Sequence, residues 1–454
     1  MNSEDIINSG LLHRNFNLAP QLVERAEGQY LYLSDRRILD GCGGAAVTSV
    51  GHSNPTIIQE LTDQLQTVTY VHSLEYTTTA AEEFANNLLS GYEDIFARAY
   101  IANSGSEATE AAIKMAIQYY YEQGLTSKTE FISRYQSYHG NCLGGLSLSG
   151  HVCRSKPYLE VLSPHMHKVS AANEYRFKAE EESTQDYVNR LANELEDKIL
   201  EIGPQKVAAF YAETIVGATA GCVVPPAGYF KAIRNICDKY DVLLILDEIM
   251  CGSGRTGTFF AWEQESVVPD IVTCGKALSS GFSPLSACIF NHKVLKVIQE
   301  GSGSFNNGHT YQAFPLACRA GLAVQKYVKK NKLLEAVRNN GDYLLKALKS
   351  KLKDSDIVGD IRGRGLFWAI EFVRNKTSKE PFPASLGIGL RIQQSIWKNG
   401  VAVYPGAGTI DGITGDHILI APMFITTELD IDIIVDCIRS SVNTIEKELL
   451  GRYI

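Results

Sequence analysis

The sequence predicts an α/β fold: a large domain built on a doubly wound, mostly parallel sheet, with a smaller α+β domain beside it. Three observations predict it. Between about residues 56 and 325, short runs of branched apolar residues alternate with stretches of helical period, as in successive βαβ units. Two of those runs close on residues that bear chemistry, Asp247 and Lys276. After about residue 330 the alternation gives way to amphipathic helices and scattered strands. The chain is therefore divided into an N-terminal segment (1–55) that joins the small domain, a large domain (56–328) and a C-terminal small α+β domain (329–454).

The elements follow in order. Gln29-Tyr30-Leu31-Tyr32-Leu33 alternates like a strand of a small antiparallel unit. Such strands lack a core of their own, so they are expected to join the C-terminal unit. Ile57, Ile58, Leu61, Leu65 and Val68 recur at three and four and predict a helix. Buried strands are predicted at 99–102, 130–133, 207–212, 242–247, 270–274 and 286–290. Residues 174–202 are charged and helical in their second half. Beyond them come a Lys-rich helix (330–353) and an apolar strand after a Gly/Arg turn within 360–372. A helix (385–399), strands at 401–404 and 418–420 and a terminal helix (427–449) complete the chain.

Composition excludes several classes. The chain has 454 residues, 45% apolar and 21% charged, ordinary values for a globular enzyme. A net charge of -8 argues against a general nucleic-acid surface. No run of eighteen apolar residues offers a membrane span. The start, MNSEDIINSG, has neither a secretory nor a mitochondrial pattern, so a cytoplasmic protein is expected. Ten cysteines are scattered without a CxxC pair, which reads as small core residues in a reducing compartment. His165 and His167 have no nearby set to complete a metal site, and no metal is expected.

Asp247 ends the run Val242-Leu243-Leu244-Ile245-Leu246, a strand buried on both faces. Lys276 follows Asp270-Ile271-Val272-Thr273-Cys274-Gly275 and precedes the loop Ser279-Ser280-Gly281. Open parallel sheets keep ligand sites outside the carboxyl ends of their strands. An acid and an amine meeting there suit pyridoxal phosphate. The lysine would hold its aldehyde as a Schiff base, and the acid would keep the ring nitrogen protonated. An ordinary strand end and a lone lysine explain the same two residues, so other segments must decide.

Asn103-Ser104-Gly105-Ser106-Glu107-Ala108 leads from a strand into a helix. Free N–H groups and the positive dipole end suit a phosphate there, though a well-capped helix accounts for the same residues. Tyr135-Gln136-Ser137-Tyr138-His139-Gly140 follows another strand, where an aromatic either stacks on a flat ring or covers the core. Gly308-His309-Thr310-Tyr311 places a hydroxyl beside glycine.

Taken together, NSGSEA, SYHG, the strand ending at Glu213, LDEIMCGSGRTG, CGKALSSGFSPLSA and GHTYQAFPLAC resemble the class III aminotransferases, of the fold type I pyridoxal-phosphate architecture. The resemblance runs from about residue 27 to the APMF segment at 421–424. It implies pyridoxal 5′-phosphate as cofactor, bound by the 56–328 domain. It implies that Lys276 is the Schiff-base lysine and proton carrier and that Asp247 pairs with the ring nitrogen. Gly105 and Ser106 would hold the phosphate, Tyr138 would stack on one ring face and Ile249 on the other. Thr310 would reach the phosphate of a neighbouring subunit, so the protein would be a homodimer. Glu213 matches an active-site glutamate, and His139 lies close to the stacking position.

One departure bears on substrate. Many family members grip a carboxylate with an arginine in the C-terminal unit. Residues 401–424 contain neither Arg nor Lys, and Tyr404 and Leu419 stand near the expected places. Arg134 is the nearest motif-adjacent substitute. The Gly-rich stretch 406–415 reads as a surface turn or a mobile lid. The expected activity is a ping-pong aminotransferase that moves an amino group from an amine or amino acid, leaning to ω-amines and ω-amino acids, to a keto acid such as pyruvate or 2-oxoglutarate. An aminomutase, decarboxylase or lyase would use the same lysine and aspartate. A non-catalytic scaffold is disfavoured by the intact lysine, aspartate and phosphate loop. A dinucleotide oxidoreductase is disfavoured because no GxGxxG follows an early strand.

Overall fold

The computed structural model of the protein describes residues 10–16 and 20–450. Residues 1–9, most of the polar start considered above, lie outside the described residues. A seven-stranded sheet forms the centre, in the order Phe96–Ala102, Ser286–Asn291, Ile271–Cys274, Leu243–Glu248, Val207–Glu213, Glu130–Arg134, Met166–Val169. Ser286–Asn291 runs antiparallel to both its neighbours, and the remaining pairs are parallel. Every residue of Val207–Glu213 and Leu243–Glu248 is buried, which explains their unbroken apolar runs.

Alternation along Leu243–Glu248 sorts the core into two layers. Leu243 and Ile245 meet the helix Gly105–Tyr121 through Ala108, Ala112 and Met115. Leu244 and Leu246 share the other layer with Phe84, Leu191, Ile233 and Ala317. Those four come from the helices Thr79–Leu89, Thr184–Ile202, Tyr229–Lys239 and Pro315–Lys330. Each large apolar side chain removed from water there contributes about 1.5–3 kcal/mol.

The edge strand Met166–Val169 was not anticipated. Only Val169 in it is buried, so it makes no apolar run. His165 just before it and His167 within it both pair with Glu130 at 2.8 Å.

The N-terminal strands Arg25–Glu27, Tyr30–Tyr32 and Arg37–Asp40 form a sheet whose fourth member is Val401–Ala402, parallel to Arg37–Asp40. A third sheet has the order Val358–Arg364, Phe367–Phe372, Asp416–Ile420, Tyr404–Ala407. Two readings need correction. The Gly/Arg segment expected as a turn is the strand Val358–Arg364, one arm of a hairpin. Its charges misled because their partners lie elsewhere: Arg362 pairs with Glu371 at 2.6 Å and Arg364 with Glu265 at 2.8 Å. The single strand expected at 401–404 is split between two sheets.

Arg255, fully buried, ties these parts together. Its guanidinium donates to the carbonyls of Leu366, Ala421 and Pro422, and at 3.4 Å to that of Thr48. Gly406 makes room for the buried ring of His417: a Cβ there would lie 2.1 Å from Nε2. That nitrogen bonds the carbonyl of Ala218 at 3.0 Å.

Burial, helped by nearby Arg362, pushes the His417 imidazole down to about 4. The folded state therefore disfavours the charged ring. The stability this group contributes is complete above its unfolded value of about 6.5 and is lost as pH falls from there toward about 4. The expected loss is on the order of 3 kcal/mol. Urea unfolding between pH 7 and 4 should show a shallower pH dependence in His417→Gln by about that amount. An unchanged slope would contradict this reading.

Candidate active site

The carboxyl ends of the parallel strands open on a cavity of about 580 Å³. Glu213 and Asp247 are register partners on adjacent strands, so two carboxylates stand side by side. Lys276 follows Ile271–Cys274 and opens a short 3-10 turn with φ +45, a region that costs a side-chain-bearing residue strain. Gly105, Ser106, Tyr138, His139, Glu213, Asp247, Ile249 and Lys276 all line the same cavity.

The two acids are held differently. Asp247 Oδ2 lies 2.8 Å from His139 Nδ1, and Asp247 Oδ1 accepts the N–H of Ile249 at 3.0 Å. The His139 ring packs edge-on against Tyr211, with centroids 4.7 Å apart. The backbone N–H of His139 is fixed by Ser149 Oγ at 2.7 Å. Glu213 accepts backbone N–H groups from Tyr138 at 3.2 Å and Gly217 at 3.0 Å. Burial raises its carboxyl, with His139 opposing and Asp247 adding to the shift. Burial also pushes the Lys276 amine below the usual lysine range, while Asp247 and Glu213 pull the other way. A larger neutral fraction makes an amine nucleophilic.

The helix Gly105–Tyr121 starts at the cavity. Ser104 caps it, its Oγ accepting the N–H of Glu107 at 3.2 Å. The N–H groups of Gly105 and Ser106 have no use inside the helix. A Cβ on Gly105 would meet Ile249 Cγ2 at 2.9 Å, so glycine is what lets the helix end and Ile249 approach.

A family model described as class III aminotransferase matches residues 13–442. The chain belongs to the class III aminotransferases. An uncharacterized aminotransferase of Schizosaccharomyces pombe is 46% identical, the match covering 96% of this chain and 95% of that protein. The chloroplastic gamma aminobutyrate transaminase 3 of Solanum lycopersicum is 35% identical over 92% of this chain and 79% of its own length. Among solved structures, the omega transaminase of Pseudomonas jessenii in complex with PMP superposes with a TM-score of 0.92 at 30% identity, covering 99% of each chain. The architecture is that of the fold type I pyridoxal-phosphate enzymes.

Class III aminotransferases use pyridoxal 5′-phosphate. The residues present fit that group. A desolvated amine, an acid with two fixed donors and a helix start with spare N–H groups face one cavity. In addition, the buried His139 Nε2 has no hydrogen-bond partner among the described residues.

Two expectations are corrected here. Arg134 does not line the cavity. It is buried beneath it, donates to the carbonyl of Glu213 and lies 5.6 Å and 5.8 Å from the rings of Tyr229 and Phe230. The stretch 406–415 is not a plain surface turn: Gly406, Ala407, Gly412 and Ile413 wall the cavity. It is fastened by Thr409 Oγ1 donating to Glu371 at 2.7 Å and by Gln136 Nε2 donating to the carbonyl of Ile410 at 3.0 Å. Tyr404 and Leu419 are cross-strand partners. Thr310 is exposed and stands apart from this cavity.

Sequence reasoning passed over His151, Cys153 and Arg154, which also line the cavity. They sit on or beside the four-residue helix Val152–Ser155, too short to leave a periodic signal.

Gly105→Ala should weaken pyridoxal phosphate binding about 10- to 100-fold, since overpacking typically costs 1–3 kcal/mol. The loss from Ile249→Ala should be smaller in the Gly105→Ala background than in the native protein, because the clash is then relieved. Fluorescence titration of the apoprotein measures both. If Ile249→Ala costs as much in the Gly105→Ala background as it does alone, contact with Ile249 is not what requires glycine.

Proposed function

We propose that this class III aminotransferase takes its amino group from ω-amines or ω-amino acids and passes it to a keto acid such as pyruvate or 2-oxoglutarate in two half-reactions. The observation that carries this reading is the wall formed by Tyr404, Pro405, Gly406 and Ala407, whose cross-strand neighbour is Leu419. No Arg or Lys occurs in 401–424. A carboxylate placed beside the reacting carbon would be desolvated there without a cation, at a cost of several kcal/mol. Relatives named as gamma aminobutyrate and omega transaminases support the same donor class.

Pyridoxal phosphate, when bound, supplies an electron-withdrawing ring that stabilises charge at the substrate carbon. Lys276, a cavity-lining amine lowered by burial, would hold the cofactor and would carry a proton at Nζ to and from the amine-bearing carbon. Asp247, oriented by His139, would keep negative charge against the ring nitrogen. Gly105 and Ser106 would bind the phosphate through their helix N–H groups. Tyr138 and Ile249, which line the cavity, would hold the ring between them, and Glu213 would set the field beside Lys276.

The protein acts as a homodimer in which Thr310 completes the neighbour's phosphate site. Support comes from exposed apolar residues around it. Tyr311 is 58% exposed and packs on Tyr70 with ring centroids 6.0 Å apart, and Leu74 is 84% exposed. The large domain is taken as 56–328, with 1–55 and 329–454 forming the small one. A cytoplasmic location is part of the same proposal, supported by ten free cysteines.

The test is a donor panel with pyruvate and 2-oxoglutarate, read by keto-acid consumption. The ω-amines and ω-amino acids should exceed α-amino acids in kcat/KM, and Asp247→Asn should slow every donor by several decades. A clear preference for α-amino acids would overturn the donor assignment. Unchanged single-turnover rates in Asp247→Asn would remove Asp247 from its role.

A further inference from the structure

With 401–424 lacking a cation and Arg134 turned inward, the described residues lining the cavity include two Arg side chains besides Lys276, Arg14 and Arg154. They differ in setting. Arg14 is exposed, whereas Arg154 is half-buried on the short helix Val152–Ser155.

Arg154 is tied to Tyr138. Its guanidinium carbon lies 4.9 Å from the ring centre, and Nη1 is 3.4 Å from the Tyr138 hydroxyl. No carboxylate among the described residues pairs with it. Both Glu213 and Asp247, by contrast, stand at the cavity floor, where Tyr138 donates its N–H to Glu213. A substrate carboxylate is repelled at that floor and attracted at the far end of Tyr138. The helix is also held in place. Cys153 Sγ lies 3.3 Å from the carbonyl of Gly412, and Val152 packs on Gly412 from the facing loop. Burial and Arg154 itself hold the neighbouring His151 below the usual imidazole range.

We propose that Arg154 binds the distal carboxylate of an ω-amino-acid donor and is the residue that sets this specificity. The proposal rests on the donor class put forward above. The separation favours that class: floor and guanidinium are at opposite ends of one tyrosine side chain, so amine and carboxylate must be several carbons apart. A planar guanidinium offers a carboxylate two parallel hydrogen bonds, and its half-buried position strengthens them relative to open water.

The experiment uses the cofactor-loaded enzyme with 4-aminobutyrate and propylamine, the same skeleton without the carboxylate. The donor half-reaction is followed alone, and butyrate binding is measured by calorimetry. In Arg154→Met the ratio of kcat/KM for 4-aminobutyrate over propylamine should fall about 10- to 100-fold, carried by KM. Butyrate binding should weaken in parallel. Arg154→Lys should lose part of the ratio, and Arg14→Met should leave it in place. An unchanged ratio in Arg154→Met, or a selective loss in Arg14→Met instead, would overturn the proposal. If the wild-type enzyme accepts neither amine, the donor class fails. Butyrate binding in the Arg154→Met comparison then still decides whether the arginine grips a carboxylate.

Discussion

The placement of one amine and two carboxylates at the same end of a parallel sheet governs the rest of this structure. Glu213 and Asp247 are forced together because their strands pair in register. Enclosure makes each charge expensive unless it is compensated. Asp247 is compensated by His139 and the Ile249 N–H, and Glu213 by two backbone N–H groups. Lys276 is drawn in both directions: desolvation favours its neutral form and the two acids favour its charged one. The downward direction prevails, which leaves more of the amine neutral and nucleophilic.

Strand alternation decides which acid reaches the cavity. Asp247 faces the cavity, and Glu248, one residue on, faces the opposite way. There it accepts the N–H groups of Ala261 and Trp262 at 2.6 and 2.7 Å and the hydroxyl of Thr214 at 2.8 Å. Burial pushes its carboxyl up to about 8. Arg255, a few residues further, holds carbonyls from three distant segments. The polar stretch after the strand thus serves the site at one residue and architecture at the others. The same economy appears at Gly406, which lines the cavity and also leaves space for His417.

How much of this was legible in the sequence depends on where each residue's partners lie. Leu243–Glu248 could be read directly, because burial on both faces needs an unbroken apolar run, and the acid at its end marked the cavity. Gly105, Ser106, Tyr138 and Lys276 were legible because each follows a strand end. Met166–Val169 was not, since an edge strand needs no apolar run. Val358–Arg364 was hidden because Arg362 and Arg364 are neutralised by Glu371 and Glu265, distant in sequence. Arg134 looked suitable by its nearness to a motif, but its place in the strand sends the guanidinium under the cavity toward Tyr229 and Phe230. Arg154 carried no pattern at all; only packing against Tyr138 brings it to the cavity.

Electrostatics alone does not single out Lys276. Burial also pushes Lys168 down to about 7 and lowers Lys128. Lys168 donates to the carbonyl of Ser147 at 2.9 Å, and Lys128 to those of Val207, Tyr240 and Asp241. Neither lines the cavity that holds Asp247 and the helix start. What distinguishes Lys276 is its position among those partners. The most direct test loads the protein with pyridoxal phosphate, reduces it with borohydride, digests it and maps the modified lysine by mass spectrometry. The account predicts the pyridoxyl group on Lys276. A group carried by Lys168 or Lys128, with Lys276 unmodified, would contradict it.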